Sequence, residues 1–143
     1  MMNSQIRHYG IVVLDIKKSL LFWSLLGFKV KKEKTEYGDT IDRMLAFSNA
    51  KIKTFKLINK NKDIVELINF INPKVQKNQL QTNCSGPTHI ALSVKQIEKL
   101  YLKLVKNKIQ FNCRPTLSKD KKVMVTYCKT PEGAFLELVE DLV

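Results

Sequence analysis

His8-Tyr9-Gly10-Ile11-Val12-Val13-Leu14-Asp15-Ile16 lies without gaps on His89-Ile90-Ala91-Leu92-Ser93-Val94-Lys95-Gln96-Ile97, and these two stretches hold both histidines of the chain. Each is a short apolar run, then a polar turn, then the start of a helical pattern. The offset of 81 residues (89 − 8) holds as far as Phe28-Lys29-Val30 on Ile109-Gln110-Phe111. Farther on, Asp63-Ile64-Val65-Glu66-Leu67-Ile68 lies on Ala134-Phe135-Leu136-Glu137-Leu138-Val139, where the offset is 71 (137 − 66). Self-similarity of this kind means one supersecondary unit used twice. Here each copy carries a histidine and a glutamate at equivalent points.

In the first copy, Ile6 to Val13 reads as a strand, Asp15 as a helix N-cap, and Ile16, Leu20 and Trp23 as one helical face that Gly27 terminates. Strands are predicted over Lys29 to Lys34, Ile41 to Phe47 and Ile52 to Ile58. A turn at Asn59-Lys60-Asn61-Lys62 leads into a further strand, Asp63 to Ile71, before Pro73. The second copy repeats the order: a strand from Thr88 to Val94, then a helix from Gln96 to Asn107 with Ile97, Leu100, Tyr101, Leu104 and Val105 on one stripe. Strands follow over Gln110 to Cys113, Val123 to Cys128 and Ala134 to Val139, the last two joined by a Thr130-Pro131-Glu132-Gly133 turn. The expected fold is α+β: two βαβββ modules (about 5–73 and 88–141) joined by a polar linker (about 74–87), with mostly antiparallel sheets and a helix covering each.

At 143 residues this is one ordinary domain by length, able to bury ~65–70% of its unfolded surface without staples. No apolar run reaches the ~18 residues of a membrane span, and Met1-Met2-Asn3-Ser4-Gln5-Ile6-Arg7 lacks the order of a signal peptide, so the expected location is cytoplasmic. Cys84, Cys113 and Cys128 are odd in number and lack C-x-x-C spacing, against both a disulfide framework and a thiolate zinc site; they read as three half-buried thiols. The net charge is +12, yet of 25 basic residues only Arg7, Arg43 and Arg114 are arginine, and the lysines are scattered. Nucleic-acid surfaces cluster arginine and interleave aromatics. The charge instead favours anionic small molecules, although a lysine-rich loop such as Lys119-Asp120-Lys121-Lys122 reads first as a solvated turn.

The two glutamates decide the chemistry. On a strand, Glu66 shares its face with Ile64 and Ile68, and Glu137 with Phe135 and Val139. A carboxylate among such neighbours is costly to desolvate unless a cation or donors compensate it. Imidazole nitrogen with carboxylate oxygen suits zinc, nickel, cobalt, manganese or iron(II), and mixed N/O sites are more often catalytic than structural. His8, Glu66, His89 and Glu137 are therefore candidate metal ligands.

Together with Phe22-Trp23 before Leu26-Gly27-Phe28, the stretches His8 to Asp15, Asp63 to Leu67, Gly86 to Val94 and Thr130 to Glu140 resemble the vicinal oxygen chelate superfamily, especially its glyoxalase I branch. The resemblance implies two βαβββ modules forming a cupped sheet around one divalent metal, with His8, Glu66, His89 and Glu137 as ligands, and frequent dimerisation. It implies a lyase or isomerase acting on a small carbonyl compound: a glutamate removes the proton next to the carbonyl, and the enediolate that forms is stabilised. Glu137 is the preferred base, with Glu66 its counterpart for reprotonation. In glutathione-using bacterial members an arginine is expected where this chain has Val12 and an asparagine where it has Phe70, which counts against a glutathione adduct as substrate. Epimerisation of an acyl thioester uses the same proton abstraction. Oxygen-cleaving chemistry on catechols prefers two histidines and one carboxylate, and metal-free antibiotic binding is disfavoured by the full ligand set.

Overall fold

The computed structural model describes residues 2–77, 81–87 and 89–143. Met1, residues 78–80 of the expected linker and Thr88 at the expected start of a strand lie outside them. The chain forms two compact units, Met1–Lys77 and Asn78–Val143.

In the first unit the order is β1 (Tyr9–Val12), α1 (Ile16–Leu25), β2 (Lys29–Tyr37), α2 (Asp39–Leu45), β3 (Lys51–Ile58) and β4 (Ile64–Asn72). The four strands form one sheet in the order β1-β4-β3-β2. β1 runs parallel to β4, and β3 is antiparallel to both β2 and β4. Asp15 caps α1 as its position suggests, its carboxylate accepting from Lys18 N at 3.2 Å. At the other end Gly27 takes a positive φ of 88°. Its N–H bonds Ser24 O and that of Phe28 bonds Trp23 O, while the Phe28 and Trp23 rings meet edge to face at 5.3 Å; this is the Schellman closure that favours glycine. Phe22, Trp23 and Phe28 are buried, as are Leu57, Val65 and Leu67 of the sheet. Trp23 is thus a core residue.

The second unit contains β5 (His89–Ser93), α3 (Ile97–Lys106), β6 (Thr116–Leu117), β7 (Val123–Lys129) and β8 (Phe135–Asp141). Its sheet, β5-β8-β7-β6, repeats the first, with β5 parallel to β8. The helices fall at the repeat offset of 81 (97 − 16 and 106 − 25) and the last strands begin 71 apart (135 − 64). Both sheets are mixed, because the first strand of each unit returns parallel to the last. Ile97, Leu104, Leu136 and Leu138 are buried, while Val105, expected on the buried stripe of α3, is 42% exposed.

Three expectations are corrected. Ile41 to Phe47 does not form a strand but lies on and just after α2, where Asp39 and Asp42 occupy the first turn and Arg43 the last, matching the helix dipole. The Asp42 carboxylate then accepts from Asn49 N and Ala50 N, which fixes the return into β3. Gln110 to Cys113 makes only the isolated bridge Phe111–Cys128, and the ladder beside β7 is the two-residue β6. The cysteines are not uniformly half-buried: Cys84 is, Cys113 is exposed, and Cys128 is fully buried with its thiol pushed up to about 12 by desolvation. All three are free thiols. No helix among the described residues is long and apolar enough to cross a membrane.

Candidate metal centre

β4 fixes Glu66 through its ladders, with Gly10 of β1 opposite it on one side and Lys56 of β3 on the other. Residues paired across a sheet share a face, and so do alternate residues along a strand. Ile64, Glu66, Ile68 and Phe70 therefore line one face of β4, half-buried, while Val65 and Leu67 point to the buried face. His8 immediately precedes β1, two residues from Gly10, and reaches the same face: its Nε2 lies 3.9 Å from Glu66 Oε2. The Glu66 side chain is 16% exposed and that of His8 36%.

The second unit builds the same pair in the same register. Glu137 on β8 stands between Ala91 of β5 and Tyr127 of β7, and His89 Nε2 is 3.3 Å from Glu137 Oε2. Phe135 and Val139 flank Glu137 on its face, as expected. One residue absent from the expected set, Tyr127, joins this pair. The Tyr127 hydroxyl donates to Glu137 Oε2 at 3.4 Å, and the Tyr127 ring lies 5.3 Å from that of His89. Burial, then the charge and hydrogen bond of Glu137, hold the Tyr127 phenol above its usual pKa. In the first unit the equivalent position is Lys56 (127 − 71). The repeat offset relates these two positions to each other, while the β7–β8 and β3–β4 registers place each beside its glutamate.

The structure thus joins the four candidate residues as His8 with Glu66 and His89 with Glu137. Among the described residues, no third His, Cys, Asp or Glu joins either pair within its own unit. The donor chemistry fits a divalent ion. Two donors of one ion, each ~2.0–2.2 Å from it, lie ~3–3.5 Å apart; the second pair has that separation and the first is slightly wider. Each pair turns an imidazole nitrogen and a half-buried carboxylate oxygen toward one another among apolar neighbours, where an unpaired carboxylate is disfavoured.

The Thr130-Pro131-Glu132-Gly133 turn forms as expected, with Gly133 N bonding Thr130 O at 2.9 Å, and it feeds β8 directly. The Lys119-Asp120-Lys121-Lys122 loop is a hydrogen-bonded turn in which Asp120 accepts from Ser118 Oγ and Lys122 N.

Known structures share this fold. A glyoxalase family protein from Bacillus cereus superposes with a TM-score of 0.89 at 17% identity, covering 99% of this chain and 97% of that one. The trypanothione-dependent glyoxalase I of Leishmania major gives 0.67 at 18% identity, over 96% and 87% of the two chains. A glyoxalase/dioxygenase from Nostoc punctiforme gives 0.67 at 20% identity over the whole of both. No curated protein sequence matches this one. The repeated βαβββ order, the parallel return of each first strand and the duplicated His–Glu pair therefore sit in a sequence that matches a known family over residues 5–138, and the chain belongs to the Glyoxalase/Bleomycin resistance protein/Dioxygenase superfamily.

Proposed function

We propose that the protein is a divalent-metal-dependent lyase or isomerase of the glyoxalase I type, acting on a small carbonyl compound. The observation that carries this reading is the duplication of one His–Glu pair at one register position, Glu66 opposite Gly10 and Glu137 opposite Ala91. His8, Glu66, His89 and Glu137 are the metal ligands of this reading, suited to nickel, zinc, cobalt, manganese or iron(II). When bound, such an ion supplies charge stabilisation for oxygens that become negative during the reaction. Glu137 removes the proton next to the carbonyl and Glu66 returns one on the other side, the two carboxylates being equivalent in the repeat. Ile64, Ile68, Phe135 and Val139 keep the carboxylates partly out of water, which raises the strength of local electrostatic interactions.

An anionic substrate is supported by the first unit. Lys32, Lys56 and Glu66 form one row across the sheet. Lys34 is paired with Glu36 and Lys53 with Glu33, whereas Lys32 and Lys56 make no ion pair among the described residues. Epimerisation of an acyl thioester is a second reading, favoured by Val12 and Phe70: apolar side chains stand where polar contacts to glutathione are expected, and Phe70 is packed against Phe47. The reading includes a homodimer working in the cytoplasm, where free thiols such as those seen here persist.

The test is metal analysis of the protein purified without chelators, beside a His8→Ala/His89→Ala double variant. A bound divalent ion in the first and its loss from the second supports the reading. Protein that neither retains nor takes up any of the five metals overturns it.

A further inference from the structure

The repeat makes Glu66 and Glu137 equivalent in backbone position but not in surroundings. Glu137 has a hydroxyl donor across the ladder, Tyr127, at 3.4 Å. Glu66 has Lys56 at the matching place, and Lys56 makes no ion pair with it among the described residues. We infer that Tyr127 is a positioning residue that holds the Glu137 carboxylate over His89 and so makes the second His–Glu pair the stronger metal-binding pair of the two. The inference rests on the metal-dependent reading above.

Three observations support it. Tyr127 Oη and His89 Nε2 converge on the same oxygen, Glu137 Oε2, at 3.4 and 3.3 Å, which fixes the carboxylate from two directions and leaves Oε1 uncommitted by either contact. The phenol ring is itself fixed, packed at 5.3 Å on the His89 ring and at 6.5 Å on that of Phe135, so the hydroxyl is presented by a rigid arm. The difference in the His–Glu separations, 3.3 Å here and 3.9 Å in the first unit, has the direction expected if the Tyr127 side is the better organised. A hydroxyl suits this task because it donates without adding charge. An ammonium at the same place, as in the first unit, would repel a divalent cation. Hydrogen bonds of this kind orient metal-ligating carboxylates, and removing them typically weakens metal binding ~10–100-fold.

The test uses the full chain stripped of metal and titrated with cobalt(II), followed by visible absorption and by competition with a chelator. Tyr127→Phe keeps the ring packing and deletes only the hydroxyl. Its dissociation constant is expected to rise ~10–100-fold with the melting temperature of the metal-free protein unchanged, and its cobalt absorption bands to shift. Lys56→Met is expected to bind as tightly as wild type or more tightly. Equal affinity and spectra for wild type and Tyr127→Phe would overturn the inference while leaving the metal reading standing, as would equal weakening in both variants. Failure of the wild type itself to bind cobalt would overturn the metal reading and the inference with it.

Discussion

Glu140 on β8 holds the first turn of α3 from 43 residues away: its Oε2 accepts from Ile97 N at 2.9 Å and its Oε1 from Gln96 N at 2.7 Å. Gln96 is the N-cap of α3, sits in the left-handed region and makes no side-chain cap bond, so a distant carboxylate does what Asp15 does for α1. It also places a negative charge at the positive end of the helix dipole.

These bonds, from Ile97 and then Gln96, hold the Glu140 carboxyl below its ordinary value. A depressed folded-state pKa contributes stability present above the unfolded value and lost as pH falls through the folded one. The melting temperature of Glu140→Gln should lie below that of wild type at pH 7, and the gap should close on acidification below pH 4.5. Thermal melts at a series of pH values check this; identical melting temperatures at pH 7 would remove the role assigned to Glu140.

The Schellman closure of α1 recurs at α3 with a different residue. Lys108 takes a φ of 63° where Gly27 has 88°, and Lys108 N bonds Val105 O while Ile109 N bonds Leu104 O. A non-glycine residue in this region costs ~1 kcal/mol. Lys108→Gly should therefore raise unfolding stability by ~1 kcal/mol and Gly27→Ala lower it by a similar amount, as read from urea midpoints.

Replacing Glu137 by Gln keeps an oxygen donor of similar size and removes the basic carboxylate. Metal should largely remain, and solvent deuterium exchange at the substrate carbon beside the carbonyl should fall ~10²–10⁴-fold. His8→Ala or His89→Ala should lower metal content first. Loss of exchange in Glu66→Gln, with wild-type exchange in Glu137→Gln, would reverse the assignment of the base.

Val12 and Phe70 give a substrate prediction. The hemithioacetal of methylglyoxal and glutathione should be turned over poorly by nickel, cobalt, zinc or manganese forms. A kcat/KM of ~10⁵ M⁻¹s⁻¹ or above would show that these positions do not exclude glutathione.

The fold was legible where its signals were local or repeated. Asp15, Gly27 and the Thr130 to Gly133 turn act through bonds to near neighbours, and the repeat aligned the rest. The helix α2 is hidden in the sequence because Ile41, Met44 and Phe47 in a short segment do not separate strand from helix by period alone. A usable signal was present nonetheless: the offset falls from 81 to 71, so the first copy has ten more residues than the second between its helix and last strand, and α2 lies in that interval. His8 and His89 stand out because they are the only two histidines and fall at equivalent repeat positions, and Glu66 and Glu137 because they recur in matching apolar settings. Tyr127 carries no such signal, since its closeness to Glu137 depends on the β7–β8 register, a pairing between strands rather than a property of either. Glu140 escaped for the same reason.

Tyr9 pairs with Val65 and His89 with Phe135, so the first strand of each unit is the last to find a partner, after separations of 56 (65 − 9) and 46 (135 − 89) residues. Closing β1 onto β8 instead would span 127 residues (136 − 9) against 56, a difference of only ~0.7 kcal/mol, which gives β1 a weak entropic preference for β4 over the similar edge of β8 once both exist. Birth order supplies a stronger one. On the ribosome β4 is complete at Asn72, before any of β5 to β8 has been made, so β1 meets its own partner with no competitor present. A chain diluted from denaturant has both edges on offer at once, and a duplicated protein of this design is therefore better protected from mispairing when it is synthesised than when it is refolded.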